Sequence, residues 1–151
     1  MSVSFRQVDI DRLDPDSPVN FHPEVIESGV TVQGVHGVAQ EVKSALGSGN
    51  GAKALKLAVQ NPPYGSDEAA KDAALDTILQ VLSSMRISEI DAAVKGLDTT
   101  EQTVLVKYLY KASSSPKGKA NGSILLNWMD RTFAIAGQGA LSKYLTDRRT
   151  V

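Results

Sequence analysis

The sequence contains no cysteine, few aromatic residues and no large excess of charge of either sign. Without cysteine there can be no disulfide, no thiolate nucleophile and no thiolate metal site. Aromatic residues make up 5% of the chain, which favours a core of alanine and aliphatic side chains. The formal net charge of -1 gives no overall field that would attract nucleic acid or anionic lipid. No apolar run reaches the roughly 18 residues of a membrane span.

The rest of the composition is typical of a soluble globular protein. The 151 residues are 42% hydrophobic and 22% charged, which predicts one domain, with or without a tail. Residues 1–10 contain no apolar run that resembles a signal peptide. We therefore expect a cytoplasmic protein.

Residues 1–33 are predicted to form an extended N-terminal tail. Pro15, Pro18 and Pro23 lie in this range, and each would interrupt a helix. Single hydrophobic residues alternate with acidic ones, a pattern that cannot build a core but can dock on a partner. The tail is therefore interpreted as a partner-binding arm.

Four aspartates in the tail, at positions 9, 11, 14 and 16, invite comparison with a calcium-binding EF-hand loop. Such a loop needs a glycine at its sixth position and a glutamate at its twelfth. Counted from Asp9, those positions hold Asp14 and Asn20. The spacing therefore does not predict a calcium site.

Residues 34–151 are predicted to form an all-α domain, a compact array of six or seven antiparallel helices. Hydrophobic residues recur there at helical spacing between short breaks. Only Val30-Thr31-Val32 alternates as a strand would, and it is too short to anchor a sheet. The predicted breaks are Gly47-Ser48-Gly49, Asn61-Pro62-Pro63, Gly96, the loop 113–121 and Gly137-Gln138-Gly139.

Several residues predict how these helices begin and end. Asn50 and Ser66 are expected to cap helices, and capping boxes are expected at 88–91 and 99–102. Gly96 is placed to end a helix in a left-handed turn. The stretch 123–136 is apolar over most of its circumference, which predicts the most buried helix, with Trp128 in the core.

No pattern typical of catalysis or of cofactor binding stands out. Gly137-Gln138-Gly139 resembles a dinucleotide-binding cluster, but it follows a helix and lacks the third glycine. His22 and His36 are the only histidines, and neither belongs to an HExxH-type motif. We therefore expect no enzyme, no cofactor, no metal and no small-molecule substrate.

A basic cluster with neighbouring tyrosines allows three interpretations. It could bind nucleic acid, since such sites combine positive charge with stacking rings. It could be a solvated helix face, which the net charge favours, or it could contact a protein partner. The cluster consists of Lys107, Lys111, Lys117 and Lys119 beside Tyr108 and Tyr110.

Seven segments of the chain form an ordered set of short motifs. They are Phe5-Arg6-Gln7-Val8-Asp9-Ile10-Asp11, Gln60-Asn61-Pro62-Pro63, Leu79-Gln80-Val81-Leu82, Val94-Lys95-Gly96-Leu97-Asp98, Val106-Lys107-Tyr108-Leu109-Tyr110-Lys111, Leu125-Leu126-Asn127-Trp128 with Gly137 and Gly139, and Arg149-Thr150-Val151. In order and at compatible spacing, they resemble subunit five, the smallest subunit of the actin-related protein 2/3 complex. The resemblance covers residues 4–11 and 35–151. The chain departs from the family at 16–31, where many members are acidic and glycine-rich and this tail is more apolar and broken by proline.

The resemblance implies a non-catalytic structural subunit that supports the nucleation of branched actin filaments in the actin cytoskeleton. Its partners would be subunit four, the propeller subunit and the actin-related protein 2 subunit, which the tail would tether. The net charge and the lack of a long apolar run predict no contact with nucleic acid or membrane. The alternative is a free-standing helical adaptor that binds another protein. The residues expected to contact partners are Phe5, Arg6, Val8 and Asp9 in the tail and Tyr108, Tyr110 and Lys111 in the body.

Overall fold

The computed structural model describes residues 28–65 and 67–151, and over these ranges the chain forms seven helices and no strand. The predicted all-α fold is therefore confirmed. Most of the predicted tail, residues 1–27, lies outside the described residues, so its boundary at residue 33 stays a prediction. The helices are α1 (Val32–Gly47), α2 (Gly51–Gln60), α3 (Glu68–Ser84), α4 (Ile87–Lys95), α5 (Thr99–Ser114), α6 (Pro116–Lys119) and α7 (Gly122–Thr146).

Capping side chains begin the first two helices, and a proline follows the second. Thr31 caps α1, which begins at Val32 inside the range predicted as tail, and Thr31 Oγ1 accepts the Gly34 N–H at 3.3 Å. Asn50 caps α2 as predicted, since its Oδ1 accepts the Lys53 N–H at 3.0 Å. Pro62 follows the end of α2 and prevents its continuation.

The caps of α3, α4 and α5 differ from the predictions by one or two residues. The cap of α3 is Asp67; the predicted cap, Ser66, lies outside the described residues. The cap of α4 is Arg86 and not Ser88. Its side chain caps nothing, and the one side-chain bond at this end is the one that Glu89 Oε2 accepts from the Arg86 N–H at 3.3 Å. The full capping box at α5 begins at Asp98, one residue before the predicted position.

The turn at Gly96 was predicted wrongly. Gly96 has φ -76°, a right-handed conformation, and its N–H bonds to the carbonyl groups of Ala92 and Ala93. The helix therefore ends by tightening its last turn, which requires no positive φ. The break at Gly137 is confirmed, because Gly137 has φ 67° and kinks α7.

The loop predicted at 113–121 contains the short helix α6. Ser115 caps it by accepting the Gly118 N–H at 3.1 Å, and Pro116 occupies its first position, where no N–H is needed. Gly118 packs so closely on α5 that a Cβ there would overlap the Ala112 carbonyl. This contact, together with the cap, holds α6 against α5.

The most buried helix is α5, not α7 as predicted. Nine of the 16 residues of α5 are buried, against four of the 25 residues of α7. The apolar residues of α7 cover too much of its circumference to be buried by α4 and α5 on one side, so some of them stay exposed. Trp128 of α7 is in the core as predicted, fully buried, and its Nε1–H donates to the Leu82 carbonyl at 3.1 Å.

Candidate partner-binding surfaces

Residues 147–151 form a segment, here called the C-terminal strap, that lies against α5. Lys107 of α5 is 4% exposed and donates to Asp147 Oδ2 at 2.8 Å and to the Arg149 carbonyl at 2.7 Å. Arg149 Nε and Nη2 donate to the same carboxylate at 2.8–3.2 Å. The bonds from Arg149, and then that from Lys107, hold the pKa of Asp147 well below its usual range. The buried ammonium is thus paired with a carboxylate and a backbone carbonyl.

Two further lysines hold the end of the strap. Lys71 of α3 is 5% exposed and donates to Glu68 Oε1 and Thr150 Oγ1, both at 3.1 Å. Lys111 donates to the Val151 carbonyl at 2.6 Å, and burial lowers the pKa of its ammonium. The Val151 side chain is 5% exposed and belongs to the core. The strap is therefore fixed by both polar and apolar contacts.

Tyr64, in the connection between α2 and α3, joins the strap to the start of the described chain. Lys107 Nζ lies 4.8 Å and Arg149 Cζ 5.0 Å from the centre of its ring, within the range of cation–π contacts. Its carbonyl accepts hydrogen bonds from the N–H of Ser28 at 2.9 Å and from its Oγ at 3.1 Å. Burial raises the pKa of the Tyr64 hydroxyl, an effect that Arg149 opposes.

An open groove of about 490 Å³ runs beside the strap. The rings of Tyr110 and Tyr144 stack there with centroids 4.7 Å apart, and Phe133 lies 6.3 Å from Tyr110. Aromatic rings beside cations are common where proteins bind proteins. The lining residues are Lys107, Tyr110, Lys111, Ser114, Tyr144, Asp147, Arg149, Thr150 and Val151.

The structure brings two of the three predicted body residues together at this groove. Tyr110 and Lys111 both line it and are both partly exposed. Tyr108 is fully buried, because a step of two residues along a helix turns the side chain to the opposite side. Its hydroxyl has no hydrogen-bond partner among the described residues, and burial raises its pKa. Tyr108 therefore packs in the core and offers no surface there, while the partner role of the other two stays a prediction.

The predicted tail residues Phe5, Arg6, Val8 and Asp9 lie outside the described residues. Their contact with a partner stays a prediction.

The basic cluster does not form one solvated face. Lys107 and Lys111 turn toward the strap. Lys117 pairs with Asp76 at 2.7 Å, and both side chains are 54% exposed. Lys107 and Lys111 therefore hold the strap, whereas Lys117 forms an ion pair at the surface.

A second surface is apolar and lies where α4 begins beside α7. Ile87 is 53% exposed, and together with Met85 and Ile124 it lines a shallow depression of about 60 Å³. Apolar side chains exposed in this way mark protein contacts when they form a patch.

Nothing in the part of the chain that the structure describes forms a metal centre. No three histidine, aspartate or glutamate side chains in ranges 28–65 and 67–151 lie close enough together to hold an ion. Over the same ranges, no helix has the length and apolar character needed to span a bilayer.

Sequence reasoning missed the strap and the role of Tyr64. The lysines that bind the strap lie on α3 and α5, far from it in sequence, and only the fold brings them together. One local signal was present. Lys107 stands among apolar residues of a helix, and a lysine at such a position requires a buried partner.

The described residues form a small all-helical domain with an open aromatic groove and an exposed apolar surface. Comparison with known families then gives a particular assignment. The model of the ARP2/3 complex 16 kDa subunit (p16-Arc) matches residues 4–151. The chain belongs to this family.

Three relatives illustrate the match. Actin-related protein 2/3 complex subunit 5 of Saccharomyces cerevisiae is 33% identical over 154 aligned positions that cover all of both chains. Subunit 5-C of Xenopus laevis is 37% identical, and the 5-like protein of Homo sapiens is 32% identical. In both cases the alignment covers all of this chain and 97% of the relative.

Proposed function

We propose that the chain is a non-catalytic structural subunit of the actin-related protein 2/3 complex and supports the nucleation of branched actin filaments. Its helical body scaffolds neighbouring subunits, and its tail tethers the actin-related protein 2 subunit. One observation carries the proposal. The family match runs from residue 4 to residue 151 and so includes both the tail motif and the body.

The body has the surfaces that a scaffold needs. The aromatic groove around Tyr110 and Tyr144 and the apolar surface around Ile87 and Ile124 belong to different parts of the helical array. Two such surfaces allow one small domain to contact two neighbours, and we propose subunit four and the propeller subunit in these places. The complex would act in the cytoplasm, at the actin cytoskeleton.

A tail of this kind works by effective concentration. Once the body is docked, each contact of the tail is intramolecular, with an effective concentration in about the millimolar range for a short flexible linker. Weak contacts of Phe5 or Val8 can then hold a mobile subunit close to its working position. The tail needs no high affinity of its own.

The test is a reconstituted complex that lacks residues 1–20 of this chain. The body should keep its thermal midpoint, because α1–α7 begin after the deletion. The actin-related protein 2 subunit should dissociate faster on dilution, and nucleation should slow several-fold. Dissociation is measured by native mass spectrometry and nucleation by actin polymerisation.

A matched control separates the sequence of the tail from its length. In it, residues 4–11 are scrambled and the rest of the tail is kept. If the motif binds, this variant should behave like the deletion. Normal retention and nucleation in the deleted complex would show that the tail is not a tether.

Purification from the source cells separates this function from that of a free-standing adaptor. The tagged chain is washed at moderate salt, and every bound protein is identified by mass spectrometry. Recovery of the two actin-related proteins and the other subunits at equal stoichiometry supports the assembly role. Recovery of the chain alone, or with unrelated proteins, favours the adaptor.

A further inference from the structure

The carbonyl group of Tyr64 occupies a part of the backbone that needs external support. Pro62 and Pro63 restrict the chain before it. Gly65 follows with φ 136°, a conformation that L side chains rarely adopt. Since the carbonyl belongs to the peptide unit between Tyr64 and Gly65, the glycine leaves its direction free to rotate.

The ring of Tyr64 supplies this support. Lys107 and Arg149 both place their charges within 5.0 Å of the ring centre. The two cations are themselves fixed by Asp147, to which each donates. The ring is thereby held, and with it the backbone that carries the carbonyl.

The Tyr64 carbonyl is bound by Ser28, the first residue that the structure describes. Both the N–H and the hydroxyl of Ser28 donate to it. Gly29 then turns with φ 68°, and Thr31 caps α1. Three residues separate Ser28 from α1, so chain length alone would let Ser28 lie anywhere within about 14 Å of the start of the helix. The two hydrogen bonds to the Tyr64 carbonyl are what hold it at one place in that range.

We propose that Tyr64 is the positioning residue of the tail: clamped by the C-terminal strap, it fixes the point on the body from which residues 1–27 depart. The proposal rests on the tether function proposed above. A fixed departure point narrows the volume that the tail searches and raises its effective concentration at its target. The strap therefore contributes to tethering without touching the tethered subunit.

The test compares three variants of the full-length chain. Tyr64→Ala removes the ring and Tyr64→Phe keeps it. Arg149→Met removes one of the two cations that lie beside the ring. Arg131→Met is the matched control, because Arg131 makes one ion pair, with Asp91 at 2.8 Å, away from Tyr64. Hydrogen exchange of the Ser28 amide is followed by NMR in the free chain. Retention of the actin-related protein 2 subunit is followed in the reconstituted complex.

Tyr64→Ala is expected to raise the exchange rate of the Ser28 amide about tenfold, the effect of losing one hydrogen bond. It should also shift subunit retention toward that of the tail deletion. Tyr64→Phe should behave like the unmodified chain, and Arg149→Met should give a smaller change of the same sign. Arg131→Met should change neither measurement.

The outcomes separate this proposal from the tether itself. An unchanged Ser28 amide in both Tyr64→Ala and Arg149→Met overturns the positioning role. Faster exchange with normal retention also overturns it, provided that the tail deletion loosens the subunit, and in that case the tether stands. If the tail deletion has no effect, the tether fails and the positioning proposal falls with it. Should Tyr64→Ala fail to fold, Arg149→Met decides, because Arg149 is an exposed side chain.

Discussion

At the scale of single residues, two buried hydroxyl groups are unusual. Thr132 of α7 and Tyr108 of α5 are both fully buried, and neither hydroxyl has a hydrogen-bond partner among the described residues. A buried polar group without a partner loses its bonds to water and gains none in return. Both positions therefore lower the stability of the isolated body.

Replacing Thr132 by valine is expected to stabilise the protein. The change keeps the branched shape and removes the unpaired hydroxyl, so the free energy of unfolding should rise by about 1 kcal/mol. Denaturant titration measures this. The matched control is Thr103→Val, also buried in a helix, where the hydroxyl donates to the Thr99 carbonyl at 2.9 Å. A gain in the control as large as that at Thr132 would contradict the explanation.

At the scale of elements, α4 and α5 begin in contrasting ways. Asp98 Oδ1 accepts hydrogen bonds from the N–H groups of Thr100 and Glu101 at 2.8 and 2.7 Å. In turn, Glu101 Oε2 accepts the Asp98 N–H at 2.9 Å. Arg86 at α4 has no side-chain acceptor and makes no such bond. The most buried helix thus has the more complete cap.

Asp98→Ala should lower the free energy of unfolding by about 1–2 kcal/mol, because it leaves two N–H groups of α5 without an acceptor. Arg86→Ala should leave it almost unchanged, since the bond from Glu89 goes to the main chain. Both are measured by chemical denaturation under the same conditions. Equal effects of the two substitutions would refute the role given to the Asp98 side chain.

The existence of most helices could be predicted from local chemistry, and the differences have local causes too. Asn50 and Pro62 predicted the two ends of α2 correctly, because a cap and a proline each act within one turn of the helix. Gly96 was predicted wrongly because glycine permits a left-handed turn without requiring one. The rank of α5 over α7 in burial could not be predicted, because it depends on how many neighbours each helix has and not on its own composition.

At the scale of the whole molecule, the strap joins α3, α5 and the Tyr64 loop, and its central charge is Asp147. The bonds from Arg149 and Lys107 depress the pKa of this carboxyl group. A group whose pKa is lowered by folding stabilises the folded state above its unfolded pKa and loses this contribution as the pH falls. The contribution of Asp147 is therefore complete at neutral pH and declines below about pH 4.

Asp147→Asn should lower stability at neutral pH and flatten the decline in stability below about pH 4. The measurement is the free energy of unfolding at a series of pH values. Asp76→Asn is the control, since its ion pair with Lys117 is half exposed and contributes little in water. An unchanged pH profile in Asp147→Asn would contradict the role of this carboxylate.

The strap also shows where prediction of the candidate surfaces from sequence stops. The sequence identified Tyr110 and Lys111, which lie together because they are neighbours on one helix. It could not identify Tyr144 as the stacking partner of Tyr110, because that contact depends on how α7 crosses α5. Tyr64 was missed for the same reason.

The position of Trp128 has an optical consequence. It is the only tryptophan in the sequence, and its indole is completely buried between α7 and the end of α3. Its fluorescence therefore reports one buried environment, and emission should move to longer wavelength only when water reaches the indole. A substitution that frees the strap while the core stays closed would leave the emission spectrum in place, so one chromophore distinguishes local release from unfolding.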